Sequence, residues 1–273
     1  MVVRILPDRA RAKLSALDGA RNDAEDALAG AVRRLNMLSH RRDGEPDIAA
    51  QVERLEASRA RNAERHAALS ALCSRIRQWT NELPAGVVLQ MADPVVATAR
   101  DGQTTAEMVA HLRDEVSAKQ NQVKVARAAP LPKKVVKELA AAHVRALAEQ
   151  GRPRVSVERD EFRAIFVDRK ADFGSAPAYI ASLVAFVAPD LMLAALEREI
   201  DALPEMQPAL SRADRDGRIA DLRAEIEVLE RLEEALIEAG ELQGLEILRR
   251  ADAAPAAVLG VVAVDATHAS QAA

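Results

Sequence analysis

An all-α fold is the class this sequence predicts, and three observations carry it. Alanine fills 57 of the 273 positions while aromatic residues make up only 2%, so helix formers abound and the residues that sheets favour are scarce. Leucine and alanine recur at heptad spacing through the first third of the chain. A third long amphipathic segment stands near the C-terminus. Together they predict a long antiparallel helical hairpin of coiled-coil type, then a small helical domain, then a long C-terminal amphipathic helix. The expected segments are 1–84 (hairpin), 85–152 (connector and two helices), 153–205 (small helical core), 206–245 (acidic helix) and 246–273 (apolar, small-residue tail, partly disordered).

The first helix is expected from Asp8, an N-cap after Pro7, to about Arg42. Leu14, Leu17, Ala24, Leu28, Ala31, Leu35 and Leu38 fill its heptad core slots, with Arg21 as the one polar intruder. Asp43-Gly-Glu-Pro-Asp47 supplies a turn, and a second helix follows to Leu83. Its seam carries Ile48, Val52, Leu55, Leu69, Cys73, Ile76 and Leu83. A connection this short makes the two helices antiparallel neighbours. Arg59, Asn62, His66 and Thr80 interrupt the second seam. Either they tune register, or the stripe drifts toward Ala60, Ala63 and Ala67 as an unstrained helix would; drift is the expectation.

Pro84–Gly102 reads as a connector with apolar character. Thr104-Thr-Ala-Glu107 is a capping box that opens a helix to about Ala128. Pro130-Leu-Pro132 interrupts, and a further helix spans Lys133 to Gln150, stopped by Gly151 and Pro153. Val155-Ser-Val157 has strand character without an evident partner, so Ser156 is read instead as the cap of a helix bearing Phe162, Ile165 and Phe166. Five of the six aromatic residues lie between Phe162 and Phe186, which places a small core there. Pro189-Asp190 begins a helix ended by Pro204. The last long helix, about Ala209–Ala239, has Gly240 as its expected C-cap and a polar face of Glu225, Glu227, Glu230, Glu233, Glu234 and Glu238.

Bulk properties narrow the function. Cys73 is the only cysteine, so an intrachain disulfide and a cysteine-based zinc site are ruled out. Its place on an apolar seam makes it an inert thiol. No signal peptide is legible at the N-terminus. The most apolar stretch, Ala176–Leu196, is broken by Pro177 and Pro189 and reads as two short buried helices rather than a membrane span. The expectation is a cytoplasmic protein without membrane contact. The arginine-over-lysine, alanine-rich bias (31 Arg, 7 Lys) fits a high-G+C bacterial or phage genome.

The sequence carries few constellations of chemically active residues. The five histidines are scattered, and His143, beside Val136, Leu139 and Leu147, reads as a core histidine. Asp214-Arg-Asp216-Gly217 fails as a calcium loop, because Arg212 and Arg223 would occupy positions that must be oxygen ligands. Phosphate-binding glycine loops and nucleophile elbows are absent from the sequence. An enzyme is therefore not expected, and neither is a cofactor or a metal. The uncharged end Ala269–Ala273 has the character of a protease-accessible tail, though a plain disordered terminus is the simpler reading.

One stretch has a sharper alternative. Residues 119–154 carry nine basic and two acidic side chains, and Lys124, Arg127, Lys133, Lys134 and Lys137 could line a nucleic-acid backbone. No aromatic residue is interleaved for base stacking, so a solvated face or a dock for the acidic helix is preferred. The expected function is thus that of a helical structural or adaptor protein. It would join a protein partner, or another copy of itself in a homo-oligomer, through the coiled-coil seam Leu14, Leu17, Leu28, Leu35, Leu38, Val52, Leu55, Leu69 and Ile76. The alternatives are a nucleic-acid-associated protein of phage or chromosome handling, and a phage assembly scaffold or chaperone.

Overall fold

The structure is a computed structural model that describes residues 6–39, 46–98, 102–165, 176–205 and 207–265. It is mostly helical, with short strands. In chain order the elements are α1 (Asp8–Ser39), α2 (Pro46–Glu82), β1 (Val87–Met91), α3 (Thr105–Ala128), α4 (Lys133–Gly151), β2 (Arg154–Glu158), β3 (Glu161–Ile165), α5 (Ala176–Val187), α6 (Pro189–Ala202), α7 (Arg212–Leu242), α8 (Pro255–Leu259) and β4 (Val261–Asp265). The turn expected around Asp43 and the tail Ala269–Ala273 lie outside the described residues, as do His40, Phe166 and His268.

Two compact units divide the chain, and the boundaries fall inside α3 and α7: residues 1–120 with 223–273, and residues 121–222. In the first unit α1 and α2 lie side by side in opposite directions. Arg77 donates to both oxygens of Asp18 at 2.6 Å, and His66 stands 3.9 Å from Glu25, so positions rising along α1 meet positions falling along α2. Heptad-spaced Leu17, Ala24 and Ala31 are buried on α1, and Leu69, Leu72, Cys73 and Ile76 on α2. The base of this pair is sealed by Leu89 of β1 and by Val258, Leu259 and Val261 from the C-terminal segment. A second cluster joins Met108, Val109 and Leu112 of α3 to Leu236 and Ile237 of α7.

Several expectations are corrected here. Within the segment expected as an apolar, partly disordered tail, residues 246–265 include α8 and β4, which supply some of the most deeply buried side chains of the core. The apolar residues of the 84–102 connector include β1, which pairs antiparallel with β4 from Val87↔Asp265 to Met91↔Val261. Gly240 does not end α7. The helix runs on to Leu242 and closes at Gly244, whose φ of 78° a side chain would strain. The amide of Leu245 donates to the Gly240 carbonyl and that of Gly244 to Glu241, the paired closure of a Schellman end. Gly240 is instead packed tightly, with Ile247 and the Thr105 methyl against it. The capping box is present: Thr104 N donates to Glu107 at 2.8 Å and Glu107 N to Thr104 Oγ1 at 3.2 Å.

The second unit packs α4 against α5 and α6. Gly151 is the pivot of that packing, because a Cβ there would stand 2.1 Å from the backbone oxygen of buried Ser182. Val155-Ser-Val157 does form a strand. Its partner β3 follows a two-residue turn, in register from Arg154↔Ile165 to Glu158↔Glu161. Ser156 therefore caps no helix, and Phe162 and Ile165 stand on β3. The aromatic core expected between Phe162 and Phe186 is not what these two form, since Phe162 is 70% and Phe186 37% exposed. His143 is exposed rather than buried, as is its neighbour Leu139. Among the described residues no single helix is long and apolar enough to cross a membrane; α5 and α6 meet at a 110° bend. They are the two helices expected from Ala176–Leu196, buried on one side only: Ser182 and Ala185 are covered, while Ile180, Val184, Val187 and Leu191 face out.

Candidate functional site

The seam of α1 and α2 is built in two grades. Near its base Leu17, Leu69 and Ile76 are buried, Leu14 is half-buried, and Cys73 sits among them. Burial pushes the Cys73 thiol above its ordinary range, and the neighbouring Asp18 carboxylate pushes it further, which keeps it protonated and unreactive. Toward the free end the remaining seam residues, Leu28, Leu35, Leu38, Val52 and Leu55, are only half-buried, and Val32 beside them is 38% exposed.

Between the two grades the stripe is mixed. Arg59, Ala60 and Ala67 are exposed and Ala63 is half-buried, as are Asn62 and His66. The last two each find a local partner: Asn62 Nδ2 donates to Ser58 Oγ at 3.4 Å, and His66 Nε2 lies 3.3 Å from Ser70 Oγ. These bonds satisfy polar atoms that burial would otherwise penalise. A groove of about 650 Å³ opens beside Asn62, walled by Leu17, Ala20, Leu69, Leu245 and Leu248 and bridged by the Arg65–Glu246 ion pair.

The acidic face of α7 is the largest correction to the sequence reading. Glu230, Glu233 and Glu234 are buried rather than solvated. Arg249, itself buried, donates to Glu234 at 2.8–3.1 Å and to Glu241 at 2.6 and 3.1 Å. Lys13 of α1 reaches Glu234 at 2.7 Å and also Glu238. Arg113 of α3 donates to Glu233 at 2.7 Å and to the Leu248 carbonyl at 2.6 Å. Arg250 spans Glu230, Glu233 and Asp252. The carboxylates thus clamp α1, α3 and the C-terminal segment onto α7. Burial opposes the charge on Arg249, but its hydrogen bonds to Glu241 and Glu234 together prevail and raise its pKa. At Glu230 the balance tips the other way. Burial, with the neighbouring Glu233 charge, raises its pKa against the lowering by Arg250.

The basic residues occupy the end of α3 and the start of α4. Lys133 Nζ donates to the Asp201 carbonyl and Lys137 Nζ to the Asp201 carboxylate, both at 2.8 Å. The second bond holds the Lys137 ammonium above its ordinary pKa. Lys124 lies 3.4 Å from Asn121 Oδ1, while Arg127 and Lys134 are exposed with no ion pair among the described residues. The acidic carboxylates of α7 that were expected to dock this stretch are bound elsewhere, Lys119 with Glu225 excepted. Beside Lys133 an apolar cleft of about 770 Å³ is walled by Pro130, Leu131, Pro132, Ile200, Leu203 and Pro208. No group of three or more histidine, cysteine or carboxylate side chains is arranged to hold a metal among the described residues.

The fold and these surfaces define a mostly helical protein with a long α1–α2 pair and an internal ion-pair clamp. No protein-family model, curated protein or solved structure matches the chain.

Proposed function

We propose that this is a non-enzymatic helical structural or adaptor protein of the cytoplasm that joins a protein partner, or another copy of itself, through coiled-coil packing on α1 and α2. The observation that supports it is the half-covered seam at the free end of the pair. Leu28, Leu35, Leu38, Val52 and Leu55 keep apolar surface open where the base of the same seam is closed by β1 and the C-terminal segment. An amphipathic helix laid along that stripe would remove the surface from water at about 25 cal/mol per Å². The ion-pair clamp serves this reading by holding the base rigid, so that the free end is presented from a fixed support.

A Val32→Glu variant tests it. The substitution places a charge beside the open stripe on a residue already part-exposed. Helix content by circular dichroism should be unchanged while association through α1 and α2, read by light scattering of the full chain with its partner, or with itself in an Arg154→Glu background that weakens any pairing through β2, is lost. Association of undiminished strength, or a native chain that binds neither, contradicts the reading.

Nucleic-acid binding is the second reading, and it now rests on Lys124, Arg127 and Lys134, because Lys133 and Lys137 are committed to Asp201.

A further inference from the structure

We infer that the outer edge of β2 pairs with the same edge of a second copy of this chain, forming a four-stranded sheet β3-β2-β2-β3 across a two-fold axis at Ser156. This contact is separate from the α1–α2 surface and does not rest on it.

Among the described residues β2 and β3 form a two-stranded sheet whose ten residues are all exposed, and an isolated two-stranded hairpin is marginal in water. Its two faces differ. Cross-strand pairs Val155↔Ala164 and Val157↔Phe162 put four apolar side chains on one face, and Arg154, Ser156, Glu158, Glu161, Arg163 and Ile165 share the other. Val155, Val157 and Phe162 are 58–70% exposed.

Backbone geometry selects the edge. A two-residue turn, Arg159-Asp160, makes Glu158↔Glu161 the closing pair that exchanges both main-chain hydrogen bonds. Ser156 and Arg154 then also bond inward, and the N–H and C=O groups of Val155 and Val157 point outward along an edge that pairs with no strand among the described residues. Placed antiparallel about Ser156, two such edges match. Val155 of one copy exchanges hydrogen bonds with Val157 of the other, and Ser156 faces Ser156.

Charge settles the choice between edges. In the β2 pairing Arg154 stands opposite Glu158 of the second copy, twice, in non-hydrogen-bonded pairs where Cα atoms approach to about 4.5 Å. The equivalent pairing of β3 about its centre would set Arg163 against Arg163, a like-charge contact that is unfavourable. Pro153, which has no N–H to offer, ends the β2 edge at its other side. The dimer also joins the two apolar faces into one.

The test uses the full chain. Ser156→Cys should give a disulfide-linked species of twice 29.5 kDa on mild oxidation, whereas Glu158→Cys, and the parent with only buried Cys73, should not. By sedimentation, Arg154→Glu should raise the dissociation constant of the dimer about tenfold, and Arg154→Glu with Glu158→Arg should restore it, because the swap rebuilds the opposite-charge pairs. A chain monomeric at every concentration, a dimer indifferent to Arg154→Glu, or absence of the Ser156→Cys cross-link overturns the inference. Val32→Glu should leave this dimer intact, which separates it from association through α1 and α2.

Discussion

Arg249 grips the Glu234 carboxylate with three hydrogen bonds of 2.8–3.1 Å, joining the segment after α7 back to the middle of that helix. Both side chains are at least nine-tenths buried, so removal of Arg249 leaves the Glu234 carboxylate buried with Lys13. Arg249→Ala should therefore destabilise the fold by about 3–5 kcal/mol. Removing both charges, as Arg249→Met with Glu234→Met, should cost less than Arg249→Ala, because the buried carboxylate that Lys13 alone would then offset is gone and Glu241 is half-exposed to water. Denaturant titration with circular dichroism compares the two.

Glu230 gives a pH dependence of defined sign. Its pKa is raised in the folded state, so the stability it contributes is fully present below the unfolded-state value of about 4.3 and is lost as pH climbs through the folded value. Glu230→Gln does not titrate. Measured against the native chain, its relative stability should rise as pH is taken from about 4 to 7, and a constant difference would show that burial does not govern this carboxyl.

Gly151 is required by contact rather than by backbone angle. Gly151→Ala drives a methyl into the Ser182 carbonyl, and α5 must shift to admit it. A loss of about 1–3 kcal/mol is expected. Hydrogen exchange should show it as faster opening of α4 and α5.

Thr104→Ala removes the side-chain acceptor of the α3 capping box and should cost about 1 kcal/mol. The Glu107 carboxyl, held below its ordinary pKa by the Thr104 amide and then by the Thr104 hydroxyl, contributes stability above the unfolded pKa that is lost as pH falls through the folded one. The stability advantage of the native chain over Glu107→Gln should therefore shrink as pH falls through the carboxylate range, and an advantage that does not change with pH would contradict this role.

For the basic stretch, the full chain should not be retained on duplex DNA at about 0.1 M salt. Retention with a steep salt slope that Arg127→Glu and Lys134→Glu abolish would move the function to nucleic acid.

The sequence made the helices legible because their signals are local. Heptad leucines define α1 and α2, Thr104 and Glu107 open α3, and Pro189 starts α6. What it hid depends on distant partners. β1 (Val87–Met91) and β4 (Val261–Asp265) lie far apart in the sequence, and neither alternates strongly enough to be read alone. β2 and β3 are joined by Arg159 at a φ of 53°, where a glycine would have signalled the turn. The glutamates of α7 look like a solvated face because two of their partners, Lys13 and Arg113, are remote in sequence. The Arg249-Arg250 doublet just beyond the helix was the available clue. Of the seam residues, the base was distinguishable from the free end only once β1, α8 and β4 were seen to close one and not the other.

The central claim is that the free end of the α1–α2 seam is a contact surface. Photo-cross-linking tests it most directly, with a benzophenone side chain placed at Val32, beside the open stripe, and separately at Arg33, on the opposite face of α1. The account predicts adducts from position 32, mapped by mass spectrometry to an apolar helical stripe of the partner or of another copy, and none from position 33. Equal labelling from both positions, or none from position 32, would contradict it.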